Sequence, residues 1–237
     1  MDKKRLVIVG GGFAGAYLAR HLEDKFNVVL IDNKDYFEFT PGVLRTIINP
    51  DHAKKIQVLH KDYLKKAKFL ASEVTKITSK YVIVEGVKVL FDYLVIATGS
   101  RYREVFKESG MVLPARAKEL VEKHEHLKKA KDVLLIGGGI VGVELAAEII
   151  TKYPDKRVIL VHSKEKLMER SSPKASRYAE RFLKKRGVKI LFGERVEKQD
   201  KSKKHFTTDK GTQINADLAF SCTGIISNGE SIRNGRP

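Results

Sequence analysis

Cysteine is almost missing from the chain: Cys222 is the sole one in 237 residues. A lone thiol excludes a disulfide framework and any cysteine-based zinc or iron–sulfur site within one chain, and it favours a reducing, cytoplasmic setting. Long apolar runs are lacking too, because charged residues interrupt every hydrophobic stretch short of the ~20 residues that cross a bilayer. The opening Met1-Asp2-Lys3-Lys4-Arg5 runs straight into an apolar strand instead of a secretion signal. Neither a membrane span nor metal chemistry is expected.

Acidic charge is also short, with 29 Asp+Glu against 46 Lys+Arg and a formal net charge of +17. Such a surface attracts anions: nucleotides, acidic lipid headgroups or nucleic acid. The lysines are dispersed, from Lys54 and Lys55 through Lys128 and Lys129 to Lys201 and Lys203, with no single-sign block and no aromatic-interleaved recognition pattern. A solvated surface is the first reading, an anionic membrane face at the cytoplasmic side the second, and nucleic acid the last. The 42% hydrophobic content supports a large core and one or two domains.

What the chain does have is one glycine signature used twice, Gly10-x-Gly12-x-x-Gly15 and Gly137-x-Gly139-x-x-Gly142. Each follows an aliphatic run, Leu6-Val7-Ile8-Val9 or Val133-Leu134-Leu135-Ile136, and precedes an apolar-periodic helix. That is the context a dinucleotide-binding fingerprint requires. The first glycine permits the strand-to-helix turn, the second lets backbone approach a pyrophosphate, and the third lets the helix pack on the strand. Free N–H groups and the positive end of the helix dipole then face the phosphates. A β-carbon at Gly12 or Gly139 would intrude on such a ligand. In the first unit the strand Val28 to Ile31 ends in Asp32, ~20 residues past the glycines, where a carboxylate accepts hydrogen bonds from a ribose diol.

The remaining pattern predicts an α/β chain. Asn33 to Gly42 is turn-rich and aromatic, and Pro41 prevents a continuous helix. A short helix is expected over 42–48, then strands over 68–71, 74–77, 81–84 and 87–91 forming a β-meander inserted in the first unit. A buried parallel strand starts at Tyr93 and ends in Ala97-Thr98-Gly99-Ser100. A helix over 117–130 leads into the second unit, with a helix over 140–152, a strand over 158–161, a helix over 174–185, a strand over 188–192 and a hairpin within 195–214. The last strand, Leu218 to Ser221, leads to Cys222-Thr223-Gly224, so both halves close alike.

These residues resemble the two-dinucleotide flavoproteins, the pyridine-nucleotide oxidoreductases, in which an NAD(P)H-binding Rossmann-like fold is inserted in an FAD-binding one. The segment from Ile31 to Ile47 looks most like the apoptosis-inducing-factor-like and type II NADH dehydrogenase branch. The resemblance implies an FAD-binding part over 1–105, an NAD(P)H-binding part over 106–226, and the start of a return to the FAD domain over 227–237. It implies that Gly10, Gly11, Gly12, Phe13, Ala14 and Gly15 hold the FAD pyrophosphate and Asp32 the adenosine ribose. Arg45 would lie near the flavin nucleotide, the Val74 backbone at adenine, and Thr98 and Gly99 at the domain crossover. Gly137, Gly139 and Gly142 would hold NAD(P)H, with Glu144 near nicotinamide and flavin.

Selection between NADPH and NADH falls on His162, Ser163 and Lys164, which follow the second unit's second strand with no acid among them. Without a carboxylate that binds the 2′-OH and repels a 2′-phosphate, NADPH or dual use is favoured over strict NADH. The family's disulfide reductases need a CxxxxC pair, which the corresponding stretch Tyr36 to Asn49 lacks, so thiol relay is excluded within this chain. Cys222 reads as a small buried residue. Electrons would leave the flavin directly, with a quinone the first choice of acceptor. A ferredoxin-like carrier is the alternative, and a non-catalytic nucleotide-binding protein with a basic surface is the reading from another class. A homodimer is compatible with either. The family's later strand ending in Gly-Asp and its C-terminal domain do not appear before Pro237, so a truncated form of a longer protein is expected, ahead of a naturally reduced one.

Overall fold

Two copies of one parallel sheet organise the chain, and in each the leading strand is aliphatic because helices cover one of its faces and an antiparallel meander the other. The computed structural model describes residues 2–102, 106, 112–200 and 204–229. In the first unit β1 (Arg5–Val9) leads through the glycine turn into α1 (Phe13–Leu22) and then β2 (Asn27–Asp32). The chain next forms β3 (Tyr36–Glu38), α2 (Val43–Ile48), α3 (Ala53–Ile56), β4 (Gln57–Leu59) and α4 (His60–Tyr63). β5 (Lys68–Ala71) rejoins the sheet, a meander of β6 (Val74–Ile77), β7 (Tyr81–Val84) and β8 (Val87–Leu90) covers it, and β9 (Tyr93–Ile96) completes the order β5-β2-β1-β9. Leu6 and Ile8 bury on the α1 side with Ala19 and Leu30. Val7 and Val9 bury on the other side, with Ile31 and the meander's Val82 and Val84.

After β10 (Ser100–Arg101) and α5 (Leu113–Lys129) the plan repeats: β11 (Asp132–Ile136), α6 (Ile140–Lys152), β12 (Arg157–His162), α7 (Pro173–Lys185) and β13 (Lys189–Phe192). A second antiparallel meander, β14 (Val196–Asp200), β15 (His205–Thr208) and β16 (Gln213–Asn215), precedes β17 (Leu218–Ser221) and β18 (Ile226–Ser227). The sheet order β13-β12-β11-β17 copies the first. So does the register, which sets Val9 opposite Ile31 and Ile96, and Ile136 opposite Val161 and Ser221.

The two units are tied by polar contacts as well as by packing. The Leu113 N–H donates to Asp35 at 2.9 Å, and His124 Nδ1 donates to the Ile47 carbonyl at 2.9 Å. β10 pairs antiparallel with β18 across the crossover.

Three expectations change. α5 starts at Leu113, earlier than 117, because Pro114 sits in the first turn, where a missing N–H breaks no helical bond. β9 is parallel but not buried: it is the outer strand, leaving Tyr93 54% and Ile96 47% exposed. The expected hairpin within 195–214 is a three-stranded meander. Lys201 and Lys203, and the segment 230–237, lie outside the described residues.

Candidate functional site

A cleft of about 660 Å³ opens at the C-terminal ends of β1, β2 and β9. Gly10, Gly11, Gly12, Phe13, Ala14, Asp32, Val74, Thr98 and Gly99 all line it. Gly10 adopts φ +102°, and a β-carbon there would overlap the Ala97 carbonyl; Gly137 repeats this at φ +113° against the Cys222 carbonyl. Gly15 lies beneath the cleft, where a β-carbon would collide with the Gly10 carbonyl, and Gly142 does the same with Gly137.

Gly12 and Gly139 differ from the others. Their φ values of −75° and −72° suit any residue, and a β-carbon on either would meet nothing within 4 Å. Neither backbone strain nor internal packing requires glycine there. Each is the N-cap of its helix, with no side chain capping it and no acid in the first turn. The first-turn N–H groups therefore face open space with a positive field, which suits a pyrophosphate. The chain's own residues thus fit a dinucleotide at both places.

Asp32 is buried at the cleft wall. One carboxylate oxygen accepts the Gly11 N–H; the other accepts the Lys34 N–H at 2.9 Å. The Lys34 ammonium reaches both oxygens, at 3.1 and 3.3 Å. The Thr98 carbonyl accepts the Asn228 side-chain amide at 2.8 Å, tying the crossover to the strand end.

His162 follows Val161 as Asp32 follows Ile31, so the shared register puts the two residues at equivalent places. Burial holds the His162 imidazole below its ordinary pKa, against an opposing pull from Glu169. Ser163 and Lys164 are exposed just beyond it.

Arg45 and Glu144 do not join the glycine-rich cleft. They line a second cavity of about 570 Å³ between α2 and α6, together with Phe39 and Glu148. Arg45 Nε and Nη2 donate to one Glu148 oxygen at 3.0 and 2.8 Å, because α2 packs against α6 and presents the arginine to the second unit. Burial, aided by the Glu148 charge, raises the Glu144 pKa from its ordinary value. The segment 38–42 is a wall common to both cavities: Glu38 and Thr40 line the cleft, and Phe39, Pro41 and Gly42 line the second cavity.

Sequence reasoning passed over Glu38 and Arg116. Arg116 is fully buried; its guanidinium grips Glu38 through two bonds of 3.0 Å and Glu119 through one of 2.7 Å. Glu38 also accepts the Gln57 amide at 2.7 Å. The one available signal was a charged residue inside the aromatic run Tyr36-Phe37-Glu38-Phe39. Cys222 is buried, as expected of a small apolar residue. Among the described residues no group of side chains could hold a metal ion, and no helix is long and apolar enough to cross a membrane.

Two matching parallel sheets, each with a glycine turn and an uncapped helix at its strand ends, define a protein with two dinucleotide-binding halves. Residues 4–235 match the pyridine nucleotide-disulphide oxidoreductase family, and the chain belongs to it. This is a family of flavin-dependent NAD(P)H oxidoreductases. The chain is 33% identical over 260 residues to apoptosis-inducing factor homolog B of Dictyostelium discoideum, covering 98% of this chain and 67% of that protein. It is 33% identical over 238 residues to ferroptosis suppressor protein 1 of Xenopus tropicalis, covering 94% of this chain and 63% of that one. The fold matches NDH2 from Plasmodium falciparum, solved with NADH, at a TM-score of 0.79 and 19% identity, over 94% of this chain and 55% of that chain. The chain thus spans about two thirds of the length of these curated relatives.

Proposed function

We propose that the chain binds FAD in the cleft beside Gly12 and NAD(P)H beside Gly139, and serves a dehydrogenase that passes electrons from the nicotinamide to a quinone. The observation that carries this reading is the pair of uncapped helix ends, where glycine is required by nothing inside the chain. The two cofactors, when bound, supply the hydride chemistry. The chain's residues supply position and field. Gly10 to Ala14 and Asp32 hold one nucleotide; Gly137, Gly139 and His162 to Lys164 hold the other. Glu144 lines the second cavity beside the wall 38–42.

The missing CxxxxC pair leaves no thiol relay in Tyr36 to Asn49. The aromatic side of that wall, with Phe39, suits a flat, apolar acceptor, and the resemblance to the type II NADH dehydrogenase branch agrees with a quinone. His162 in the place of an acid favours NADPH or dual use. The basic surface suits the anionic face of a membrane on the cytoplasmic side.

The test is an absorbance spectrum of the chain reconstituted with FAD, followed by anaerobic NADPH or NADH and then a soluble quinone. Flavin bands that bleach with the nucleotide and return with the quinone support the reading. Flavin that is retained but never bleached by either nucleotide overturns it.

A further inference from the structure

The wall 38–42 belongs to the first unit by sequence, yet a residue of the second unit grips it. It follows β3, whose pairing with β4 spans three residues on each strand. A two-stranded ribbon of that size is marginal by itself. The Phe39 N–H donates to the Ile56 carbonyl at 2.8 Å, and the Gly42 N–H donates back to the Phe39 carbonyl at 2.9 Å. The firmest hold is on Glu38. Arg116 Nε donates to one of its carboxylate oxygens and Nη2 to the other, both at 3.0 Å, and the Gln57 amide reaches the same oxygen as Nε at 2.7 Å.

Arg116 is anchored in turn. It is fully buried at the start of α5, and its Nη1 donates to Glu119 at 2.7 Å. Leu120 and Leu127 of the same helix share a core with Leu135 and Phe220 of the second sheet. Burial opposes the charge on Arg116, but Glu38 and Glu119 outweigh it and keep the guanidinium ionised. We infer that Arg116 is a positioning residue: from the second unit it sets the wall between the glycine-rich cleft and the cavity of Glu144, and with that wall the seat of a flavin in the cleft.

The chemistry of the contact points to position more than to stability. Apolar side chains of similar size often hold a buried contact as well as an ion pair does. What the pair adds is direction, because a planar guanidinium that meets both oxygens of a carboxylate favours one relative orientation. That orientation reaches both cavities. Glu38 and Thr40 face the cleft, while Phe39 and Pro41 face the cavity that Glu144 lines. A shift of about 1 Å in such a wall is enough to misalign what rests against it.

The inference rests on the dinucleotide reading of the cleft, so one arm of its test needs no nucleotide. Glu38→Met combined with Arg116→Met puts apolar side chains in place of the ion pair, and Glu119, partly exposed, turns to water. This double variant should keep the urea midpoint of the unmodified chain while its wall loosens. Hydrogen exchange at the Phe39 and Gly42 amides should quicken at least about tenfold. The Gly10 and Ala97 amides, bonded to the carbonyls of Ile31 and Val9 in the first sheet, should exchange as before. Unchanged exchange at Phe39 and Gly42, or equal quickening at all four amides, overturns the inference.

In the second arm both proteins are loaded with FAD. The double variant should hold it within about threefold of the unmodified chain, since the glycine turn and Asp32 are untouched. Circular dichroism in the visible flavin bands should nevertheless weaken, and identical bands in the two proteins overturn the inference. Arg116→Lys keeps the charge without the fork and should fall between the two in both readouts. Should the double variant not fold, Arg116→Lys decides, with exchange at Phe39 about threefold faster expected and unchanged exchange counting against the inference. If the unmodified chain takes up no FAD, the dinucleotide reading fails and hydrogen exchange alone decides whether Arg116 sets the wall.

Discussion

The two halves share a backbone plan down to single hydrogen bonds. Asp92, just before β9, accepts the N–H of Arg5 at 2.7 Å; Asp217, just before β17, accepts that of Asp132 at 3.1 Å. The Gly10 and Gly137 N–H groups bond the carbonyls of Ile31 and Val161 at 2.7 and 2.8 Å. The Ala97 and Cys222 N–H groups bond those of Val9 and Ile136, both at 2.7 Å. Against that sameness the side chains at the strand ends diverge. The first half presents a buried acid locked to a lysine, and the second a half-buried imidazole with Glu169 and Lys164 nearby. A dinucleotide fold therefore separates its jobs: the glycine turn and helix end hold phosphate, and the tip of the second strand decides which ribose is read.

The comparison breaks most severely at the tie between the halves. Arg116→Leu leaves Glu38 buried without its partner and should cost about 3–5 kcal/mol in urea unfolding. Arg45→Ala breaks the largely exposed pair with Glu148 and should cost less than about 1 kcal/mol. Equal losses would mean that burial does not separate these pairs.

Next come the two N-cap glycines. Gly12→Asp should lower FAD affinity by at least ~100-fold, about 3 kcal/mol, and leave NADPH binding within about threefold. Gly139→Asp should do the reverse. Because either side chain enters open space, thermal stability should hold, and fluorescence titrations of both ligands on both variants check the cross. A variant that loses both ligands would show that the sites are not separable.

A smaller change makes the halves more alike. His162→Asp gives the second strand the acid of the first and should move the kcat/KM ratio toward NADH by about tenfold over NADPH. An unmoved ratio would place selection elsewhere.

A pH-dependent effect lies at the opposite end of the sheets. Glu23 is buried and accepts the backbone N–H groups of Lys65, Lys66 and Ala67 through one oxygen, at 2.8 to 3.0 Å. At that end of the second sheet the polarity is reversed: the Lys156 ammonium donates to the carbonyls of Lys128 and Ala130. Burial opposes ionisation of Glu23, but those N–H groups and Arg20 outweigh it and hold its pKa below 4.5. A depressed carboxyl pKa gives stability that is present above the unfolded value and lost as pH falls through the folded one. Glu23→Gln should thus cost about 1 kcal/mol at neutral pH and nothing near ~pH 2, read from urea midpoints across the acid range. A constant difference at every pH would assign the loss to packing.

The parts legible in the sequence were those encoded locally. A positive φ at Gly10, a strand ending in Asp32 and a β-branched run each depend on a few neighbouring residues, and these marked both units and most of the first cleft. What stayed hidden depends on distance along the chain. Arg116 meets Glu38 across 78 positions, and Arg45 turns toward Glu148 because α2 packs on α6, which no local spacing records. The exposed flank of β9 escaped notice for a related reason, since an apolar run does not say whether it lies inside a sheet or at its rim.

The placement of α5 bears on motion. Asp35, Glu38 and Ile47 of the first unit bond to Leu113, Arg116 and His124, which fall along most of the helix's length. A helix fastened at one point can pivot; one fastened at its start, its first turn and its latter half cannot turn without breaking a buried ion pair. Any turn of α5 against the first unit therefore carries the cost of parting Arg116 from Glu38.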